Sequence, residues 1–593
     1  MELLNDVQRG LVESMIEKVE MANFRGCLMY LPMGSGKTRV SLISGLNMYG
    51  LEEGRGPMLV VCSKTLIGNW IDEIRKLFGS SLQYEVLHRD YLGSRIDNWV
   101  PHSGTRLVLT TSEVVMKSYK LNGLEGLYVS EEGRGFGKAH CYHLPMTGPL
   151  VRGDVVGVSV IHNKRWDGMY VDECQNYTNI RTQTCRALSS VYRRHSWLLS
   201  GTPLQEPKSE RLLGFFQLLN YPSPSTLGEL NGWLGSGDYP GVRAFAIECD
   251  APEIEGRLEC EHHVYDMSKS EGVIFLWFRQ IIVNWFEYYK YMKNVLPRDS
   301  DDLKKIRGHL LSLLTYTRIG IVAPKRAVEM LMEKIERERF LSGLSEVLVD
   351  LWPHIRDAED NSSRLDKLDE ILASHGGDSC IVFSNFVQTL DHARKYVMER
   401  HDRSLGSRSF YILDSSLSSV KRSEILSLFR EDRNGVLFMT YNMGSEGLNL
   451  QSANVVINLE PAWNVGKEQQ AVGRAYRIGQ TKDVYQHYLV SNTQFELSLL
   501  LKQVGKTRLL EQLMDGGEGE GYVSMKQKLG SLSYLEMAEL IEREPIDKLM
   551  MSGERFKSKP IEESIVNEMT PTRLHDSEVP IAMVFNVPET EGD

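Results

Sequence analysis

The stretch from Cys27 to Ile43 limits this chain more than any other. Cys27-Leu28-Met29-Tyr30-Leu31 is an apolar run of buried-strand type, and Arg39-Val40-Ser41-Leu42-Ile43 can continue as a helix. Between them stands Met33-Gly34-Ser35-Gly36-Lys37-Thr38. Strand, glycine-rich turn and helix form the setting of a phosphate-binding loop. Glycines let backbone N–H groups curl around phosphate oxygens, and a helix N-terminus adds a favourable dipole. Lys37 would then reach the β and γ phosphates, and the Thr38 hydroxyl would ligate Mg²⁺. The strict pattern wants a glycine where Leu31 stands. A second Gly505-Lys506-Thr507 lies in a charged helical stretch with no strand before it and is set aside. Alone, the first loop points to an NTPase and says nothing of the work done.

A length of 593 residues allows several domains, each with a full core. The apolar runs fall short of the ~18 residues of a membrane span. The N-terminus lacks a basic region and an apolar signal core, so an intracellular protein is expected. Eight cysteines without a Cys-x-x-Cys spacing fit a reducing compartment. His140-Cys141-x-His143 and Cys260-x-His262-His263 resemble metal ligands, but neither has a matching second half. The net charge is −11, yet residues 551–593 carry nine acids against four bases, so a basic groove elsewhere is compatible with it.

Further along, apolar runs end in small polar residues. Pro57 to Cys62 leads to Ser63-Lys64, and Arg106 to Leu109 leads to Thr110-Thr111. Ligands of a doubly wound sheet sit at the carboxyl ends of strands, where such groups can contact a nucleic-acid backbone. Residues 121–164 are glycine-rich and read as an insertion. Met169-Tyr170-Val171 runs into Asp172-Glu173, where Asp172 would hold Mg²⁺ through water and Glu173 would orient and deprotonate the attacking water. Ser200-Gly201-Thr202 closes another strand and suits the relay of nucleotide state. From about 206 to 345 the pattern turns helical and charged, with eight aromatics between Val273 and Asn294 that read as core. A second α/β pattern then gives strands ending at Ser384-Asn385 and at Thr440. The stretch from Glu468 to Gln480 reads as a helix with Gln470, Arg474 and Arg477 on one face, two guanidiniums and an amide able to engage a γ-phosphate.

In this order the segments resemble the SWI/SNF-type ATPases of helicase superfamily two, over roughly residues 1 to 510. Gln8 matches that family's nucleotide-sensing glutamine, Met33 to Thr38 its phosphate loop, Asp172-Glu173 its acidic box, and Ser200 to Gln205 its coupling motif. Val382-Phe383-Ser384, Gly447-Leu448-Asn449-Leu450, Glu460-Pro461-Ala462-Trp463-Asn464, and Gln470 through Arg474 and Arg477 to Gln480 match the second lobe. Cys174-Gln175 stands for the usual Ala-His, Tyr476 for histidine, Ser445 for glycine, and Leu31-Pro32 for an acidic pair.

The resemblance implies an α/β fold of two RecA-like parallel-sheet lobes. Residues 1–205 would form lobe one, 206–345 a helical insertion, 346–510 lobe two, and 511–593 a helical, then acidic and flexible, tail. It implies ATP and Mg²⁺ as cofactors, with Gln8, Met33, Gly34, Ser35, Gly36, Lys37, Thr38 and Gly447 at the nucleotide. Lys37, Asp172, Glu173, Gln470, Arg474 and Arg477 would serve hydrolysis, and Thr38 and Asp172 the metal. Ser63, Lys64, Thr110, Thr111, Ser384, Asn385 and Thr440 would meet nucleic acid, and Ser200, Gly201 and Thr202 would couple the two events. The expected activity is ATP-dependent translocation on double-stranded DNA, in preference to RNA, with no membrane partner. A strand-separating helicase, or a transcription-release triphosphatase like that of poxviruses, is the alternative, and a catalytically dead clamp ranks last. The expected location is the nucleus for a cellular eukaryotic protein, and the host cell or virion for a viral one.

Overall fold

The computed structural model describes residues 4–21, 24–31, 35–50, 57–122, 157–236, 238–248, 254–297, 300–338, 362–401, 408–414, 416–444, 448–462, 465–477, 479–515, 538 and 541. Met33, Gly34, Gly447, most of the 121–164 insertion and the acidic tail lie outside these residues. The chain divides into two units, the first comprising 1–253 with 506–530 and the second 254–505 with 531–593. No helix among the described residues is long and apolar enough to cross a membrane.

The first unit holds a seven-stranded sheet, with strands β1 (Gly26–Tyr30), β2 (Met58–Val61), β3 (Tyr84–Leu87), β4 (Leu107–Thr110), β5 (Trp166–Asp172), β6 (Arg193–Ser200) and β7 (Ala246–Glu248). Their spatial order is β3-β4-β2-β5-β6-β1-β7, and every pairing is parallel. Parallel strands are covered on both faces and therefore read as apolar runs, as β2, β4 and the Met169-Tyr170-Val171 part of β5 do. The order matters for function. It sets β5, β6 and β1 side by side, so the segments leaving their carboxyl ends, far apart in sequence, start from one edge.

The second unit holds six parallel strands in the order β10-β11-β9-β12-β13-β8. They are β8 (Leu258–Tyr265), β9 (Cys380–Ser384), β10 (Phe410–Leu413), β11 (Val436–Thr440), β12 (Val455–Asn458) and β13 (Val484–Ser491).

Two boundaries differ from the sequence expectation. The first unit continues past 205, because the helix Ser209–Leu218 buries Leu212, Leu213, Phe215, Phe216 and Leu218 in its core and β7 extends the sheet beside β1. β7 has only three residues, too few to register as an apolar run. The expected helical insertion likewise contains β8, an edge strand whose Glu259, Glu261, His262 and His263 disguise it as a charged segment. The helical part proper is Lys269–Val295, Asp301–Val322 and Pro324–Glu338. Phe275, Trp277, Phe278, Phe286 and Tyr289 form its core, as their density suggested, while Tyr288 and Tyr291 are exposed. Gly505-Lys506-Thr507 lies within the helix Gln494–Asp515, consistent with setting it aside.

A buried ion pair joins the second unit's elements. Arg364, at the start of the helix Ser363–Ser374, is fully buried against Glu496 and also bonds Tyr265, and its Nη1 donates to the Leu459 carbonyl at 3.0 Å. Glu496 in turn accepts from the Ser491 N–H at 2.7 Å. Removing one partner of such a pair leaves the other charged and buried. Arg364→Ala is expected to cost about 3–5 kcal/mol of stability, whereas Arg364→Met with Glu496→Leu should recover most of it. Denaturant melts of the three proteins check this.

Candidate functional site

The phosphate loop enters the helix Lys37–Gly45 through Gly36, whose φ of +83° is a left-handed conformation that glycine adopts without strain. A Cβ at Gly36 would also stand 2.5 Å from Gln8 Nε2, so the site needs glycine twice over. Gln8 sits in the first turn of the helix Asp6–Glu20, where it forms a capping box with Asn5. Its Nε2 donates to the Ser35 carbonyl at 3.1 Å. The residue expected to sense nucleotide is thus docked on the loop itself. Lys37 Nζ donates to the Leu31 carbonyl at 2.9 Å, which places the lysine at the end of β1.

Asp172 ends β5 and is buried. Its Oδ2 accepts from Trp70 Nε1 at 2.9 Å and its Oδ1 from the Glu173 N–H at 3.0 Å. Burial first, then the Glu173 charge, push its pKa up to about 6, with the Trp70 bond and Lys37 opposing. A buried carboxyl beside a second carboxyl is costly when ionised, and a cation beside it would lift that cost. This donor set fits Mg²⁺, with Thr38 as a further oxygen.

Glu173 has φ 49° and ψ 50°, a left-handed conformation rare for a residue with a side chain and typical of strained functional positions. From it runs a relay that the sequence reading flagged only as a departure. Gln175 Nε2 donates to Glu173 Oε2 at 2.6 Å, Ser200 Oγ donates to Gln175 Oε1 at 2.6 Å, and the Thr202 N–H donates to Ser200 Oγ at 2.9 Å. An amide both donates and accepts, so Gln175 bridges the acidic box and the coupling motif without a titratable ring.

The expected nucleic-acid contacts divide. Ser63 and Lys64 lie at the carboxyl end of β2, with Lys64 exposed and paired to Asp90 at 2.6 Å. Thr110 and Thr111 are fully buried; Thr110 Oγ1 donates to the Leu87 carbonyl at 3.0 Å, and Thr111 Oγ1 has no partner among the described residues. In the second unit Ser384 is also fully buried and bonds Glu460 Oε1 at 2.8 Å. The Asn385 backbone and side-chain N–H groups converge on the same oxygen at 2.5 and 3.0 Å. Thr440 is buried and its Oγ1 accepts from the Met443 N–H at 3.4 Å. As folded, Thr110, Thr111, Ser384 and Thr440 are turned inward, shaping strand ends rather than presenting hydroxyls. Glu460 is the organising group there; in the sequence it stands only as part of a matching segment, with no role attached.

Gln470 lies on the helix Val465–Val472, but Arg474 and Arg477 do not, since the helix stops eight residues short of Gln480. The Gln480 side-chain amide explains the break. It donates to the carbonyls of Gln451, Ala453 and Ala475, each at 3.1 Å, tying a compact turn to the preceding loop. Arg474 is buried, with Nε donating to the Gly444 carbonyl at 3.0 Å. Arg477 is half-buried without an ion pair among the described residues, and burial pushes its pKa down.

Glu468, on the same helix, is buried, and burial pushes its pKa up to about 7, against bonds from Tyr488 and the Ala462 N–H. A carboxyl whose folded pKa lies above its unfolded value gives stability that is full below the unfolded pKa and lost as pH rises through the folded one. The contribution of Glu468 to stability should therefore fall between about pH 5 and pH 8, seen as the difference between wild type and Glu468→Gln. Glu468→Gln should flatten that slope and gain about 3 kcal/mol at pH 8. Thermal melts across the range read both.

These sites define an ATP-hydrolysing enzyme of the helicase type, and the sequence relationships narrow the class. An SNF2-related domain matches residues 7–253 and a helicase conserved C-terminal domain residues 363–479. The chain belongs to the SNF2-type ATPases. Protein 172L of Invertebrate iridescent virus 6 is 25% identical over 552 residues, covering 83% of this chain and 86% of that protein. A RAD54-like DNA repair and recombination protein of Drosophila ananassae is 25% identical over 590 residues, 95% of this chain and 69% of its own length. Protein CHROMATIN REMODELING 24 of Arabidopsis thaliana is 25% identical over 548 residues, 85% of this chain but 46% of its own length. The solved Sulfolobus solfataricus SWI2/SNF2 ATPase core in complex with dsDNA aligns over 89% of this chain and 96% of that one, at 18% identity and a TM-score of 0.34.

Proposed function

We propose that this ATPase uses ATP and Mg²⁺ to translocate on double-stranded DNA. The observation that carries the reading is the continuous path from Glu173 through Gln175 and Ser200 to Thr202, which ties the residue that would act on water to the strand end that would respond. Lys37, Thr38 and Asp172 would hold the nucleotide phosphates and Mg²⁺, and the bound cation would offset phosphate charge. Glu173 would take the proton of the attacking water, and its other link is the bond it accepts from the Gln175 amide. Arg474 and Arg477 would supply positive charge to the γ-phosphate in the ATP-bound state. Lys64, which is exposed, and Ser63, which is half-buried, would be open to a phosphate backbone. Backbone contacts carry no base information, so sequence preference should be weak. The relatives named for DNA repair, recombination and chromatin remodelling support duplex DNA as the track.

The test is ATP hydrolysis with duplex DNA, single-stranded DNA and RNA, run beside triplex-displacement and strand-displacement assays. Stimulation by duplex together with triplex displacement is the expected result. Unwinding of a plain duplex without triplex displacement would establish the helicase alternative instead. Gln175→Ala should retain a substantial part of the ATPase rate yet lose most triplex displacement, because it cuts the path while sparing both acids. Equal loss of both activities would contradict a coupling role.

A further inference from the structure

The second unit carries a cluster that nucleotide chemistry does not use. β8 and β13 are paired so that His487 stands opposite Glu261 and Leu489 opposite His263. Side chains alternate along a strand, so Glu261 and His263 share one face with His487, while Cys260 and His262 point to the other. On that other face His262 stacks on Tyr488 with ring centroids 4.6 Å apart. The sequence cluster Cys260-x-His262-His263 is therefore split by the pleat, and its missing half comes from β13.

Glu261 Oε2 lies 3.1 Å from His487 Nδ1 and 3.4 Å from His263 Nε2, and the two ring nitrogens are 3.0 Å apart. Three ligand atoms around one tetrahedral zinc ion, at the usual bond lengths, stand about 3.3 Å from one another. Behind His487 a second line of groups fixes its tautomer. His487 Nε2 is 3.1 Å from His375 Nε2, and His375 Nδ1 is 3.3 Å from Asp378 Oδ2. Asp378 is itself anchored by a bond from Asn454 Nδ2 at 2.8 Å. A carboxylate only accepts, so His375 must donate through Nδ1 and receive at Nε2. That makes His487 donate through Nε2 and leaves its Nδ1 lone pair facing Glu261 and His263. One proton on His263 Nε2 cannot serve both acceptors, and the contact between Glu261 Oε2 and His487 Nδ1 stays repulsive. A cation resolves all three contacts at once. The same order of groups, metal to imidazole to a further acceptor, supports metal-ligating histidines generally.

We propose that Glu261, His263 and His487 bind a divalent cation of the zinc class, with His375 and Asp378 as positioning residues behind His487. The His487 and His263 side chains are 6% and 14% exposed and that of Glu261 is 35%, so the cation enters past the carboxylate and its fourth position faces water. The ion clips the edge strand β8 to the sheet. The assignment does not rest on the translocase reading.

Cobalt(II), a spectroscopic stand-in for zinc, is titrated into the tag-free, metal-stripped full chain, and zinc content is measured after zinc loading and dialysis. Expected are about one metal per chain and the strong visible absorption of low-coordinate cobalt on nitrogen and oxygen ligands. Zinc should raise the melting temperature. His263→Gln and His487→Ala should abolish the signal, and His375→Ala should weaken binding about tenfold to a hundredfold. Asp172→Asn, in the other unit, should leave the signal intact. Circular dichroism establishes that each variant is folded. Trace binding by the wild-type chain, which depends on no variant, overturns the proposal. So does a signal that survives in folded His263→Gln, or one lost in Asp172→Asn.

Discussion

Glu173→Gln is expected to lower duplex-stimulated ATP hydrolysis about a hundredfold to ten-thousandfold, while ATP binding and fold persist. The substitution removes one capacity and little else. An amide of the same shape can still accept from Gln175 Nε2, now 2.6 Å from Glu173 Oε2, and so can still anchor the path to Ser200. It cannot take a proton from water. The left-handed backbone at Glu173 is no worse for glutamine than for glutamate. Asp172 loses an adjacent negative charge, one of the two causes that raise its pKa, so affinity for a cation there is set by fewer acids. Steady-state phosphate release and equilibrium binding of a fluorescent ATP analogue separate the predictions. Hydrolysis within a few-fold of wild type would remove Glu173 from the reaction.

The parts of this molecule that were legible in sequence share a physical cause. Strands such as β2, β5, β9 and β11 are buried on both faces, so they stand out as apolar runs, and the residues that follow them fall at the sheet's functional edge. Glycine at Gly36 and the paired acids at the end of β5 each carry their chemistry in one short window. What stayed hidden depends on contacts remote in sequence. β8 is a polar edge strand that is recognisable only from its partner β13. The inward turn of Ser384 depends on Glu460, 76 residues on. The arginine segment has helical spacing, yet Gln480 captures three carbonyls and holds it as a turn. Gln175 was noticed because it departs from a pattern, but only its two 2.6 Å bonds show that it does the bridging itself.

The two arginines of that turn should separate in experiment. Arg477→Ala is expected to lower ATP hydrolysis by about 10³–10⁵, the range for an arginine that steadies transferring phosphate, with no loss of thermal stability. Its guanidinium is half-buried, has no ion pair among the described residues and has its pKa pushed down by burial. In the nucleotide-free chain this charge is a cost, which a phosphate would offset and which alanine deletes. The melting temperature of Arg477→Ala should therefore match or exceed that of wild type. Arg477→Lys should recover only part of the rate, since a point charge cannot reproduce a planar fork. Arg474→Ala should behave differently, losing both activity and stability, because Arg474 is buried and its Nε donates to the Gly444 carbonyl at 3.0 Å. Hydrolysis and thermal melts on the same preparations decide the matter. If Arg477→Ala melts several degrees lower and keeps its rate, Arg477 is a structural residue and the phosphate assignment fails.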